Sequence, residues 1–310
     1  MKILLTGATG FVGSAVLQRL VADSKADVAV TVRSENTSLA VPTFCVGDLS
    51  PTTDWHEALT GCEVVIHAAA RAHIMKDEMA DPLAEYHRVN VEGTFNLARQ
   101  AAKAGVKRFV FISSIKVNGE QTPLGNPFSP DDQPAPEDAY GVSKLEAEQG
   151  LQQLAFETGM EVVIIRPPLV YGSGVKGNFA SMVKLVGKGL PLPLGAIHNQ
   201  RSLVALDNLV DLIVTCVDHP AAADQVFLAG DGQDLSTTEL LRGVAQAMGK
   251  PSRLVPVPAK LLMFGARVLG KKAVAQRLLG SLQVDISKTQ SLLGWQPPVT
   301  VEEGLKRCFK

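Results

Sequence analysis

The chain has little of what marks secreted, metal-built or membrane-spanning proteins. Its four cysteines (Cys45, Cys62, Cys216 and Cys308) are scattered without paired spacing. That argues against a disulfide framework or a zinc site and for a reducing compartment. No H-x-x-x-H pair or acidic cluster with metal-ligand spacing occurs, so no metal is expected. Nowhere do about 18 apolar residues run together, as a bilayer span requires. The opening MKILLTGATG holds no apolar run long enough for a signal peptide. The expectation is a cytoplasmic protein. An excess of one charge is also missing: 30 basic against 31 acidic residues give a net charge of −1. No global field is left to draw in a nucleic acid or an anionic membrane, so an anionic ligand needs a local site.

What is present is a rhythm. Short apolar runs (KILLTG, DVAVTV, FCVGD, EVVIHAA, RFVFISS, EVVIIRP) alternate with amphipathic stretches such as VGSAVLQRLVAD and VEGTFNLARQAAKAG over the first 170 residues. Val- and Ile-rich strands separated by helices predict a parallel sheet covered on both faces, an α/β doubly wound, Rossmann-like fold. The rhythm breaks after Tyr171 into Gly- and Pro-rich chain with later helices. A chain of 310 residues is long for one core. We expect a dinucleotide-binding domain over 1–171, with segments near 203–230 returning to it, and a smaller substrate lobe over 172–310.

The first strand runs into Gly7, Gly10 and Gly13 and then a helix. Strand, glycine-rich turn and helix N-terminus is the context in which a backbone approaches a pyrophosphate. Twenty residues past Gly13 stands Arg33, with no Asp or Glu at positions 29–32. An acid there would hold a ribose 2′-OH and an Arg a 2′-phosphate, so the reading is NADP or NAD with a lean to NADP.

In DAYGVSKLEAE, Asp138 can cap a helix that carries Tyr140 and Lys144 on one face. An ammonium beside a phenol lowers the phenol's pKa, and such a tyrosine can move the proton of an alcohol while hydride leaves the same carbon. FISSIKVNGE (residues 111–120) ends a strand in two hydroxyls, Ser113 and Ser114, at the sheet edge where ligands bind. One of them can face the substrate oxygen.

Together these pieces resemble the extended short-chain dehydrogenase/reductase family, in its sugar-nucleotide epimerase/dehydratase branch. The matching segments are TGATGFVG (Thr6–Gly13), Asp48–Leu49, HAAA (His67–Ala70), NVEGT (Asn90–Thr94), SS-x-x-x-x-G (Ser113–Gly119), YGVSK (Tyr140–Lys144), RPPLVYG (Arg166–Gly172) and the ending LLGWQPPVTVEEGL. The resemblance implies Ser114, Tyr140 and Lys144 as the catalytic set. It implies Gly7, Gly10, Phe11, Val12, Gly13, Asp48, Leu49, Ala68, Ala69 and Asn90, with Tyr140 and Lys144, as the cofactor site. Asn178 and Arg201 stand where relatives contact substrate phosphates, and Lys116 is a guess for an anionic or carbonyl group. His67 is expected beside the cofactor, and His73 and His87 in the pocket or on a helix surface. A homodimer through stretches near 83–104 and 139–158 is the family habit.

Departures narrow the chemistry. The family's 4,6-dehydratases place an Asp-Glu pair after the catalytic hydroxyl residue, where this chain has Ile115 and Lys116. Neither can serve as the extra acid and base of an elimination. Hydride transfer at C4 of a UDP-sugar remains, read first as reduction of a UDP-4-keto-6-deoxy-N-acetylhexosamine and second as UDP-hexose 4-epimerisation. Asn118 and Leu169 replace the usual Tyr and Asn and loosen the choice of sugar. A hydroxysteroid-type dehydrogenase and a non-catalytic dinucleotide sensor are further alternatives. The basic amphipathic stretch PAKLLMFGARVLGKKAVAQRLLGSL is expected to pack on a core with a solvated basic edge, with peripheral contact to a membrane surface or to a UDP or lipid phosphate as the second reading.

Overall fold

The computed structural model describes residues 1–35, 39–71 and 81–309, leaving His73 outside the described residues. Seven strands form one parallel sheet: β1 (Lys2–Thr6), β2 (Asp27–Val32), β3 (Thr43–Cys45), β4 (Val64–His67), β5 (Arg108–Ile112), β6 (Glu161–Arg166) and, late in the chain, β9 (Val226–Leu228). Their spatial order is β3-β2-β1-β4-β5-β6-β9. The order therefore reverses between β1 and β4, which are paired in register from Ile3 opposite Val64 to Thr6 opposite His67. Such a reversal opens a crevice at the carboxyl ends of the strands. Two further strands, β7 (Leu169–Tyr171) and β8 (Leu203–Ala205), pair in parallel in a small separate sheet.

Both faces of the large sheet are covered, as the unbroken apolar strands require. Side chains alternate along β1. Ile3 and Leu5 pack with Val16 and Leu20 of helix Phe11–Asp23 and with Leu209 and Ile213 of helix Leu206–Asp218. Leu4 faces the other way, into a cluster with Leu97 and Ala101 of helix Thr94–Lys103 and Ala147 and Leu151 of helix Ala139–Thr158. A third cluster joins Tyr171, Phe179, Leu241, Val244 and Leu305 around the small sheet. Tyr171 donates to Asp231 at 2.7 Å there, and burial holds both groups above their ordinary pKa.

Two features differ from expectation. The stretch before helix Thr94–Lys103 widens into a π-helix over His87–Gly93, a rare turn that sequence periodicity does not signal. Helix Ala259–Val268, expected to pack on a core, has no buried residue.

Candidate active site

The parallel sheet brings the ends of β1, β2, β3, β4, β5 and β6 to one edge, and most of the expected site residues with them. Gly7 leaves β1 with φ of 74°, and a Cβ there would stand 2.6 Å from the Ala69 nitrogen. At Gly13 a Cβ would come within 2.1 Å of the Gly7 carbonyl oxygen. Only glycine lets the turn, the chain after β4 and the first helix meet so closely. Gly10 is the N-cap of helix Phe11–Asp23 and gives it no side-chain cap; no acid occupies the first turn. The N–H groups of Phe11, Val12 and Gly13 thus open toward the crevice at the positive end of a helix. These residues fit a dinucleotide pyrophosphate.

Arg33 follows directly on β2 and is exposed. Asp48 and Leu49 follow β3; Leu49 lies so close to Gly93 that a Cβ there would be 2.8 Å from Leu49 Cγ. The Asp48 carbonyl accepts from Thr53 at 2.6 Å. Under the edge, His67 is fully buried between Thr6 (2.7 Å) and Thr94 (3.0 Å), and its pKa is pushed down to about 3, first by burial and then by Lys144. It is a neutral structural bridge. His87 lies on the surface, 3.7 Å from both Glu92 and Glu146.

Asn90 sits in the π-helix with 1% exposure. It accepts from the Arg71 N–H at 2.8 Å and donates to the Arg71 carbonyl at 3.1 Å and to Ser143 Oγ at 3.0 Å. Ser143 in turn donates to the Tyr140 carbonyl at 2.8 Å. Asn90 therefore ties the chain after β4 to the helix that carries Tyr140.

That helix, Ala139–Thr158, is capped by Asp138, whose carboxylate accepts from the Gly141 N–H at 2.7 Å. Tyr140, Lys144 and Glu148 follow at four-residue spacing on one face. The Tyr140 ring meets Tyr86 edge-on at 6.0 Å. The Lys144 ammonium, 2% exposed, donates to the Ile112 carbonyl at 2.8 Å and lies 4.4 Å from the Phe111 ring centroid and 6.0 Å from that of Tyr140. Burial pushes Lys144 down to about 7, with Glu148 opposing. The sequence predicts that Lys144 lowers the Tyr140 phenol. Instead burial, the largest influence, raises it, and Asp138 and Tyr86 add to the rise.

The two serines take separate parts. Ser113 is buried and donates to Glu148. Glu148 is gripped by Arg166 through Nε at 3.0 Å and Nη2 at 2.5 Å, and Arg166 also donates to Asn118 at 3.0 Å. Ser114 is half-buried, and its Oγ accepts from the Lys116 N–H at 3.2 Å. Of the two hydroxyls, Ser113 is committed to the fold, and Ser114, half-buried, follows the carboxyl end of β5. Sequence reasoning singles out neither Glu148 nor Arg166 as part of this scaffold. Glu148 at four residues past Lys144 is the available signal.

Lys116, a guess for a substrate contact on sequence, stands beside the cap of the helix that carries Tyr140. Its ammonium pairs with Asp138 and, at 2.7 Å, with Glu120, so it supports the helix cap. Asn178, exposed, opens helix Asn178–Gly187 beyond β7. Arg201 precedes β8 and donates to the carbonyls of Arg277 and Gly280, both at 3.0 Å.

Residues 3–230 match the NAD dependent epimerase/dehydratase family. The chain is 54% identical over 307 residues to a UDP-glucose 4-epimerase of Vibrio cholerae, covering 99% of this chain and 94% of that one. It is 29% identical to the N-acetyl-alpha-D-glucosaminyl-diphospho-ditrans,octacis-undecaprenol 4-epimerase of Escherichia coli O157:H7, covering 100% of this chain and 94% of that relative. Among solved structures it resembles the UDP-glucose 4-epimerase of Thermus thermophilus in complex with NAD, with a TM-score of 0.76 and 25% identity over 99% of this chain and 97% of that one. On the matched span and the motif geometry together, the chain belongs to the NAD dependent epimerase/dehydratase family.

Proposed function

We propose that the protein interconverts the C4 epimers of a UDP-hexose, using a nicotinamide dinucleotide held at the glycine turn. The observation that carries this reading is the 54% identity, along nearly the whole chain, to a UDP-glucose 4-epimerase. The sequence alone favours ketosugar reduction over epimerisation, and this similarity reverses that order.

Tyr140 takes the proton from the C4 hydroxyl and returns it to the C4 oxygen of the ketosugar. Burial keeps the phenol protonated, the form that donates, and the Lys144 charge favours the phenolate that accepts. Ser114 orients the C4 oxygen from the other side. When bound, the nicotinamide ring supplies the acceptor and later the donor of the C4 hydrogen. Asn178 and Arg201 serve the UDP diphosphate from the second lobe, 172–310. The V. cholerae relative points to UDP-glucose and UDP-galactose as the first substrates to test.

For the dinucleotide, the T. thermophilus relative was solved with NAD. Arg33 directly follows β2, with no carboxylate at positions 29–32, which supports NADP as the second candidate. Arg33→Ala should weaken NADP and spare NAD. A homodimer through the stretches near 83–104 and 139–158 is supported by Leu83 and Phe156, 55% and 89% exposed. Light scattering measures it.

The deciding experiment offers UDP-glucose to the purified protein and follows UDP-galactose formation beside absorbance at the reduced-nicotinamide band. Interconversion without net consumption of added NADH or NADPH is expected. Stoichiometric loss of reduced cofactor with a UDP-4-ketosugar, and no interconversion, would make the protein a reductase.

A further inference from the structure

Between Glu239 and Asp285 the chain carries no acidic residue and eight basic ones, although acids and bases nearly balance overall. The middle of this segment is a helical hairpin, Ala259–Val268 followed by Lys272–Leu279. On the first helix Leu261, Phe264 and Val268 recur at i, i+3 and i+7 and so share one face. They are 61%, 68% and 72% exposed, and Leu269 and Val274 beyond them are 71% and 53% exposed. Isolated exposed apolar residues need no explanation, but a contiguous set on one face does. Lys260, Arg267, Lys271, Lys272 and Arg277 accompany them, and none of these pairs with a carboxylate among the described residues.

We propose that this hairpin is a membrane-surface anchor, which lays its Leu261–Phe264–Val268 face into an anionic lipid bilayer while its lysines and arginines meet the headgroups. The first helix has ten residues, about 15 Å long, and so lies in the interface rather than crossing it. No helix among the described residues is long and apolar enough to cross a membrane. A second copy of the chain is a poor occupant, because a symmetric contact would set this basic patch against itself. The whole chain at −1 has no general attraction to an anionic surface, so binding there needs this segment.

The hairpin is firmly joined to the lobe beside the site. Asn199 donates to the Gly280 carbonyl at 2.7 Å, Thr237 to the Leu278 carbonyl at 2.6 Å, and Arg201 to those of Arg277 and Gly280. Engagement at the bilayer therefore holds the substrate lobe at the membrane surface.

The test is co-sedimentation of the full-length protein with vesicles of phosphatidylcholine alone or mixed with phosphatidylglycerol. Binding is expected only with phosphatidylglycerol and should weaken as salt rises. The L261S/F264S double variant and the K271E/K272E double variant should each lower the bound fraction at least tenfold, with circular dichroism and melting temperature unchanged. Absence of binding to phosphatidylglycerol vesicles at low salt would overturn the proposal. So would undiminished binding by L261S/F264S, which would mean charge adsorption without an inserted face. A fall in oligomer mass on L261S/F264S, without vesicle binding by the parent, would identify the patch as a self-association surface instead.

Discussion

The Lys116 ammonium pairs with the Asp138 carboxylate, the same carboxylate that caps the helix carrying Tyr140 two residues on. An uncompensated negative charge at Asp138 opposes formation of the Tyr140 phenolate, and Lys116 offsets it. Among the described residues, Lys144, Tyr86 and, through Lys116, Glu120 also lie around Tyr140. Lys116→Met should move the alkaline-going limb of the pH–rate profile to higher pH and lower kcat at neutral pH several-fold. Adding Asp138→Asn, which keeps a capping side chain without the charge, should move the limb back. A purely structural Lys116 would lower the melting temperature and leave the limb in place.

Ser113 and Ser114 should separate cleanly. Ser114→Ala removes the hydroxyl proposed to orient the C4 oxygen and should lower kcat about 10²-fold, the scale for one oriented donor at a reacting oxygen. Ser113→Ala loses a hydrogen bond to the buried Glu148 carboxylate. It should cost about 1.5–3 kcal/mol of stability and change kcat only a few-fold. Steady-state kinetics with urea titrations on both variants measure the split.

Lys144 carries a stability cost that depends on pH. Folding lowers its pKa from the ordinary 10.5 to about 7, chiefly by burial. Between those values the unfolded chain binds more protons, so stability rises with pH across that window. Below about pH 7 both states are protonated and the full cost of burying the charge is present. Lys144→Met should therefore raise the melting temperature relative to wild type at about pH 6, by a margin that shrinks toward about pH 10, while activity is lost. A margin that grew with pH would show that the ammonium is net stabilising.

The Glu148–Arg166 pair, 1% and 4% exposed, fixes the helix of Tyr140 against the end of β6. Glu148→Gln leaves a buried guanidinium without its counter-charge and should cost about 3–5 kcal/mol. Denaturant unfolding measures this. Replacing both partners by apolar residues of similar volume should recover part of the loss.

Much of this protein is legible in its sequence. Apolar runs separated by amphipathic stretches determine the parallel sheet, because strands buried on both faces have no polar side to show. Gly7, Gly10 and Gly13 mark the turn, because the backbone there tolerates no Cβ. The spacing of Asp138, Tyr140 and Lys144 places the cap and two site residues through local helix geometry alone. Each of these signals lies within a few residues of what it determines. The tertiary structure decided the rest. Ser113 and Ser114 are neighbours with the same side chain, and only Glu148, 35 residues away, assigns one to the scaffold. Lys116 stands two residues past Ser114, and only folding sets Asp138 against it from 22 residues away. The face of Leu261, Phe264 and Val268 has the periodicity of a packed helix, yet it is exposed, because nothing in that pattern states whether the rest of the chain comes to cover it. Periodicity reports which residues share a face, and only the packed chain decides what that face meets.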